Sequence, residues 1–242
     1  MDYSYFPTAR NSPRNSSRRL LVTTLTTAPI APLLAALFAE TDRSDGAVPP
    51  GLADLSTAQR AAMLRSRTDY IDLYSRMKDS PLAVSRETGV LLYMLARALG
   101  AKAIVEFGTS FGISTLHLAA ALRDNGGGRL VTTEFEPAKI ARATENLGAG
   151  GVLDLVDLRA GDALQTLASD LPETIDLVLL DGAKALYGDI LDLLESRLRP
   201  GALLIADNAD MCPDYLTRVR AGDGGYLSVP FGSDVELSMR IG

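Results

Sequence analysis

The 242-residue sequence predicts an α/β fold: a doubly wound, mostly parallel seven-stranded sheet with an antiparallel C-terminal hairpin and an N-terminal helical lid. Three observations predict it. Short runs of branched aliphatics recur after residue 102: "AIVEF" (103–107), "LVTTE" (130–134), "LDLVDL" (153–158), "IDLVLL" (175–180) and "ALLIAD" (202–207). Most are nearly continuous in apolar character, as strands buried on both faces should be. Helical patterns separate these runs, and strand alternating with helix marks a parallel sheet covered on both sides. The last two runs differ. "YLSVPF" and "VELSMRI", joined through "GSD", have no helix between them and read as a hairpin closing one edge.

Taken in order, residues 1–20 hold Arg10, Arg14, Arg18 and Arg19 among Ser, Asn and Pro, and read as a solvated tail. Residues 21–242 read as one domain, with 21–100 supplying helices and 101–242 the sheet. The apolar run "APIAPLLAALFA" is 12 residues long with two prolines, short of the ~20 that span a bilayer. No clean A-x-A site follows it, so no leader peptide is expected. "STAQ" pairs Ser56 with Gln59 as a capping box and opens a helical stretch to about Met77. After Ser80-Pro81, "RETGVLLYMLARALG" reads as a second helix ending on Gly100. Between the strands, helices are expected over 113–123, over 137–147 with Pro137 in the first turn, briefly after Gly161, and over 185–198.

Composition excludes several functions. Hydrophobic residues at 47% and charged residues at 22% are ordinary globular values. A net charge of −6 argues against a nucleic-acid partner, which needs a basic footprint. One cysteine, Cys212, and one histidine, His117, cannot build a Cys/His zinc site or an internal disulfide framework. His117 lies inside "ISTLHLAAAL" and reads as a core or helix histidine. Cys212 reads as packing, and a lone thiol fits a reducing, cytoplasmic setting.

The first strand-to-helix turn, "VEFGTSFGIST", lies where doubly wound sheets bind ligands. Its glycines, Gly108 and Gly112, do not make the G-x-G-x-x-G dinucleotide fingerprint. Acids sharpen the reading. Glu106 precedes the first glycine, and Glu134 ends the second strand 26 residues after Gly108. A carboxylate there can accept two ribose hydroxyl hydrogen bonds. Asp162 follows the third strand, where an adenine amino group would lie. Three acids at successive strand ends point to a nucleoside site.

Together "VEFGTSFGIS", "TTEFEP", "GDA", "DGAKALY" and "IADN" resemble class I S-adenosylmethionine-dependent O-methyltransferases. The likeness is closest to the metal-dependent catechol and caffeoyl-CoA branch, and it covers roughly residues 80 to 242. It implies a Rossmann-like fold with S-adenosylmethionine as cofactor. By that resemblance Glu106, Gly108, Thr109 and Ser114 line the methionine end, Glu134 binds ribose, and Asp162 and Ala163 flank adenine. Val84 touches the cofactor from the lid, and Asp181 serves both cofactor and metal.

Asp181, Asp207 and Asn208 are hard oxygen donors at neighbouring strand ends, suited to Mg²⁺, Mn²⁺ or Ca²⁺ rather than zinc. Such a cation would lower the pKa of a bound hydroxyl. Lys184, one helical turn from Asp181, would then take the proton as base, as in the resembling enzymes. A nearby dication and desolvation both favour its neutral form. The expected acceptor is a small catechol-like or phenolic molecule, walled by the N-terminal helices and residues 209–233, with Tyr215, Tyr226 and Phe231 as candidates. No nucleic acid or membrane is expected as partner, and a homodimer stays open. A non-catalytic cofactor-binding or sensing module, or an NAD-dependent dehydrogenase, are the alternatives.

Overall fold

The computed structural model describes residues 22–44, 46 and 48–242, so the expectation for residues 1–20 lies outside the described residues. Successive side chains point to opposite faces of each strand, and in β1, β2 and β4 both faces are buried almost without a break. Its strands are β1 (Ala103–Phe107), β2 (Arg129–Glu134), β3 (Val156–Ala160), β4 (Ile175–Leu180), β5 (Leu198–Ala206), β6 (Tyr226–Phe231) and β7 (Val235–Arg240). They lie in the order β3-β2-β1-β4-β5-β7-β6. The first five are parallel; β7 runs antiparallel to both β5 and β6. The chain moves outward from β1 through β2 and β3, then returns to β4 on the other side of β1. Strand order therefore reverses between β1 and β4, which is where a ligand crevice opens.

The helices are α1 (Ile30–Ser44), α2 (Thr57–Arg65), α3 (Tyr70–Arg76), α4 (Arg86–Ala98), α5 (Ile113–Asp124), α6 (Pro137–Ala149), α7 (Ala163–Thr166), α8 (Tyr187–Leu194) and α9 (Pro213–Arg220). Ile104, Leu177 and Leu179 face α1, α4 and α5, whereas Val105, Val178 and Leu180 face α7, α8 and α9. Two covered faces explain why these strands read as unbroken apolar runs. Helix α5 is buried from Ile113 through Leu122, because α1 and α4 cover its outer side. Each fully buried leucine there contributes about 1.5–3 kcal/mol. His117 is 2% exposed and packs edge-on against Phe38, as the core reading expects.

Several boundaries depart from expectation. The run "APIAPLLAALFA" contributes to α1, whose Ile30, Leu34, Leu37 and Phe38 form one buried stripe. Its prolines do not break the helix, because Pro29 precedes it and Pro32 sits in its first turn, where no intrahelical N–H bond is lost. The expected helix from Ser56 to Met77 is two helices. The capping box holds, with the Gln59 amide donating to Ser56 Oγ (3.3 Å) and the Ser56 amide to Gln59 Oε1 (2.8 Å). Helix α2 then stops at Arg65, where Ser66 Oγ accepts the Thr68 and Asp69 amides and makes a turn. Strand β3 starts at Val156 because Leu153–Leu155 forms a 3-10 turn. Helix α8 ends at Leu194 and β5 begins at Leu198, ahead of the expected 202. Among the described residues, no helix is long and apolar enough to cross a membrane.

Candidate active site

The strand ends meet through a continued backbone ladder. The Asp181 amide donates to Phe107 O (2.9 Å), Asp207 to Leu180 O (2.9 Å), Thr109 to Thr133 O (3.0 Å) and Gly161 to Glu134 O (2.9 Å). These bonds hold the residues just past β1, β3, β4 and β5 in fixed register. Gly108, at φ 101°, permits the closest approach: a Cβ there would lie 2.7 Å from Asp181 O. Any side chain would push β1 away from β4.

A narrow cleft of about 60 Å³ runs along these ends, lined by Gly108, Ser110, Glu134, Asp162, Ala163 and Asp181. Glu134 is fixed by three backbone donors. Ser110 N bonds Oε2, and Phe135 N and Glu136 N bond Oε1, all at 3.0 Å. Burial nonetheless pushes its carboxyl above the usual range, with Lys139 and the amides opposing. Asp162 caps α7 by accepting the Leu164 amide at 3.0 Å. Tyr70 and Tyr74, one turn apart on α3, close the cleft from above. Burial first, then the Asp162 carboxylate, raise the Tyr70 phenol to about 12.

Glu106, Thr109 and Ser114 sit one layer behind the cleft. Glu106 is fully buried and accepts from Ser114 Oγ (2.5 Å), Thr115 Oγ1 (2.6 Å) and Thr132 Oγ1 (2.6 Å). Burial raises its carboxyl to about 7 despite those hydroxyls. The Thr109 hydroxyl lies 2.6 Å from that of Thr132. Val84 is 3% exposed and packs in the α4–α5 core.

At the end of β4, "DGAKALY" places three side chains in one cluster. Lys184 Nζ donates to Asp181 Oδ1 (3.0 Å), Tyr187 Oη (2.9 Å) and Asp207 O (3.3 Å). Tyr187 is buried, with its hydroxyl 2.7 Å from Asp207 O and its ring edge-on to Phe107 and Tyr215. It is a fixed post for the lysine. Desolvation pulls Lys184 towards the neutral form, but Asp181, Tyr74 and Asp207 outweigh it and hold the amine above its ordinary value. The expected depressed lysine is therefore not produced by the protein groups alone. Asp207 is pushed up to about 7 by burial and then by the facing Asp181 carboxylate.

Two carboxylates that repel each other, beside an amide, suit a hard divalent cation. Asn208, at φ 50°, turns off the β5 end and donates to Asp234 Oδ2 at 3.3 Å. Asp181, Asp207 and Asn208 are thus brought to one place and their donor chemistry fits such an ion. Among the described residues no group of three or more His, Cys, Asp or Glu is placed to hold a metal, the trio having only two carboxylates.

A larger cavity of about 500 Å³ opens on the other side of this cluster. Its floor is Asp181, Lys184, Asp207 and Asn208, and its walls include Pro49, Leu64 and Met77 of the lid. Tyr74, Leu82 and Asp181 line both cavities and form the partition between them. Tyr215 and Tyr226 are buried in the core, and Phe231 is 40% exposed on the hairpin; none of the three lines the larger cavity. The walls come from the lid because α2 and α3 fold over the β4 and β5 ends. Ser110, Tyr70, Tyr74, Lys139 and Tyr187 are site residues that sequence reasoning did not assign. Only Tyr187 carried a signal, its spacing from Lys184.

A family model described as a methyltransferase domain matches residues 105–209. A protein of Mycobacterium sp. (strain JLS), named as an O-methyltransferase, is 32% identical over 77% of this chain and 76% of its own length. The catechol O-methyltransferase of Niastella koreensis is 35% identical over 52% of this chain; the match spans 58% of that enzyme, under two thirds of its length. Among solved structures, the O-methyltransferase TomG from Streptomyces achromogenes, involved in tomaymycin synthesis and in complex with SAM, is 27% identical. It superposes with a TM-score of 0.61 over 75% of this chain and 94% of that one. By these matches the chain belongs to the S-adenosylmethionine-dependent O-methyltransferases.

Proposed function

We propose that the protein moves a methyl group from S-adenosylmethionine to a hydroxyl of a small, uncharged phenolic acceptor. One observation carries the reading. The nucleoside cleft and the larger cavity share a partition of Tyr74, Leu82 and Asp181, with Lys184 beside it. A donor and an acceptor on its two sides would meet there in line, and positioning of that kind supplies much of a methyl transfer. Glu134 would hold ribose, Asp162 and Ala163 adenine, and Gly108 and Asp181 the methionine end. Val84, Glu106, Thr109 and Ser114 would support that end from behind. Among the described residues Lys184 is the one cation lining the acceptor cavity, which also carries Asp79, Asp181 and Asp207. No basic side chain other than Lys184 lines that cavity among the described residues to hold a phosphate-bearing thioester, so a neutral phenol fits better.

Asp181, Asp207 and Asn208 would hold the divalent cation, Mg²⁺, Mn²⁺ or Ca²⁺, which when bound supplies Lewis acidity to the acceptor oxygen. Lys184 Nζ would accept the hydroxyl proton. Tyr187 Oη and the Asp207 carbonyl hold the resulting ammonium in place. Because Asp181 and Asp207 keep this lysine protonated, its basicity depends on how far those charges are neutralised. With donor and acceptor bound, the lid would help exclude water from the partition. The unpaired thiol of Cys212 accords with a cytoplasmic setting.

Transfer of labelled methyl from S-adenosylmethionine to a panel of catechols, flavonoids, hydroxycinnamates and hydroxylated polyketides tests the reading. No acceptor labelled, with no cofactor bound, would remove it. Excess chelator should stop turnover while cofactor binding survives, and added Mg²⁺ should restore it. Full turnover in chelator would strike the cation and leave Lys184 to act without it. Glu134→Ala should weaken S-adenosylmethionine roughly 10- to 150-fold by calorimetry, the loss of hydrogen bonds to a charged group.

A further inference from the structure

One cation lining the nucleoside cleft has no partner among the described residues. Lys139 stands in the first turn of α6, five residues past Glu134, and is only 3% exposed. Among the described residues its ammonium makes no hydrogen bond and no ion pair within 4.0 Å. It lies over the Phe111 ring, 5.9 Å from the centroid, and lines the cleft beside Ser110 and Glu134. Arg142, over the same ring at 4.7 Å, pairs with Glu40. The stem is buried while the ammonium faces the open cleft, and a ligand that expels the water there would leave it without an acceptor at a cost, so the acceptor has to come with the ligand. Burial lowers the Lys139 pKa, against the pull of Glu134, Glu136 and Asp181.

We propose that Lys139 is a cofactor-binding residue that donates to the oxygens of the ribose diol whose protons Glu134 accepts. The proposal rests on the reading of this cleft as the S-adenosylmethionine site. A hydroxyl is both donor and acceptor, a carboxylate can only accept, and an ammonium can only donate. Glu134 alone would satisfy the diol protons and leave its oxygen lone pairs without a donor once water is expelled. Glu134 and Lys139 come from one strand-to-helix turn, and so meet the same edge of a ligand. Three backbone amides already anchor the glutamate, which leaves the mobile lysine stem to adjust to the sugar.

The test is calorimetric titration of wild type, Lys139→Met and Lys139→Arg with S-adenosylhomocysteine and adenosine, and competition with 2′,3′-dideoxyadenosine. Lys139→Met should bind S-adenosylhomocysteine and adenosine roughly tenfold or more weaker, with Lys139→Arg recovering most of the loss. Dideoxyadenosine, which lacks both hydroxyls, should bind wild type and Lys139→Met alike. An equal loss for dideoxyadenosine, a loss confined to S-adenosylhomocysteine and its carboxylate, or no loss at all would each overturn the proposal. Should Lys139→Met fail to fold, Lys139→Gln carries the same comparison. If the wild type binds neither S-adenosylhomocysteine nor adenosine, the cofactor reading falls, and this proposal with it. Binding to wild type with no effect of any Lys139 variant sinks the lysine alone.

Discussion

Glu106 in β1 and Glu236 in β7 are both buried carboxylates, 0% and 1% exposed, in opposite surroundings. Glu236 accepts two bonds from the Arg220 guanidinium, at 2.8 and 2.5 Å, and one from Ser228 at 2.5 Å. Arg220 holds its carboxyl below the usual range, against the effect of burial. Among the described residues Glu106 has three hydroxyls and no cation, and burial raises it to about 7. The hairpin carboxylate is neutralised locally and fastens α9 to the sheet edge. The β1 carboxylate is left uncompensated behind a ligand cleft. Interior charge with its own counter-ion reads as structure; interior charge without one reads as a site waiting for a partner.

The Asp181–Lys184 pair lies between these cases, and the largest expected effect decides which side it belongs to. Lys184→Met should lower turnover of the folded protein about 10²–10⁴-fold, as for a lost general base, whatever stability the loss of Asp181's partner costs. Arg220→Met should do the reverse. It strands the buried Glu236, and since Arg220 is itself 47% exposed the cost should be about 2 kcal/mol, or roughly 4–8 °C in Tm. Turnover should stay near normal. If Lys184→Met instead melted early and kept its activity, the Asp181–Lys184 pair would be structural like its hairpin counterpart.

A second experiment sharpens the contrast through pH. The folded carboxyl of Glu106 titrates near 7 against 4.5 as the ordinary value. Below 4.5 both states are protonated and the residue is neutral towards stability. As pH rises from 4.5 to 7 the unfolded chain loses the proton first, so stability should fall, by of order 3 kcal/mol in all, and then level off. Glu106→Gln removes that slope. Urea denaturation of both proteins at several pH values across the window checks it; parallel curves would show that the Glu106 carboxyl titrates no differently in the folded and unfolded chain.

Much of this geometry is legible in the sequence, for a topological reason. In a doubly wound sheet the residues after each strand meet at one edge whatever covers the faces. Gly108, Glu134, Asp162 and Asp181 are found from strand ends alone. Tyr70, Tyr74 and Lys139 are not, because they reach the cleft from helix faces. No local pattern says that α3, held by the small cluster of Leu52, Leu73 and Met77, will lie over β4. Prolines hide α1 in the same way: they read as breaks until the first turn is known to tolerate them. The hydroxyls around Glu106 are equally hidden, since Thr132 comes from β2 and Ser114 from α5.

The smallest effect belongs to the compensated carboxylate. A carboxyl held low in the folded state adds stability above its unfolded pKa of 4.5, and that contribution is lost as pH falls through the folded value. Solvent reaches Arg220, so the charge contribution should be about 1 kcal/mol. Glu236→Gln should therefore be about 1 kcal/mol less stable than wild type at pH 7, with the gap closing as pH drops below 4.5. The closing gap is the informative part. A difference that stayed constant down to acid pH would mean that hydrogen-bond geometry to Ser228 and Arg220, and not charge, fastens the hairpin. Glu236 would then no longer be an electrostatic counterpart to Glu106, because only one of the two would be held by its ionisation.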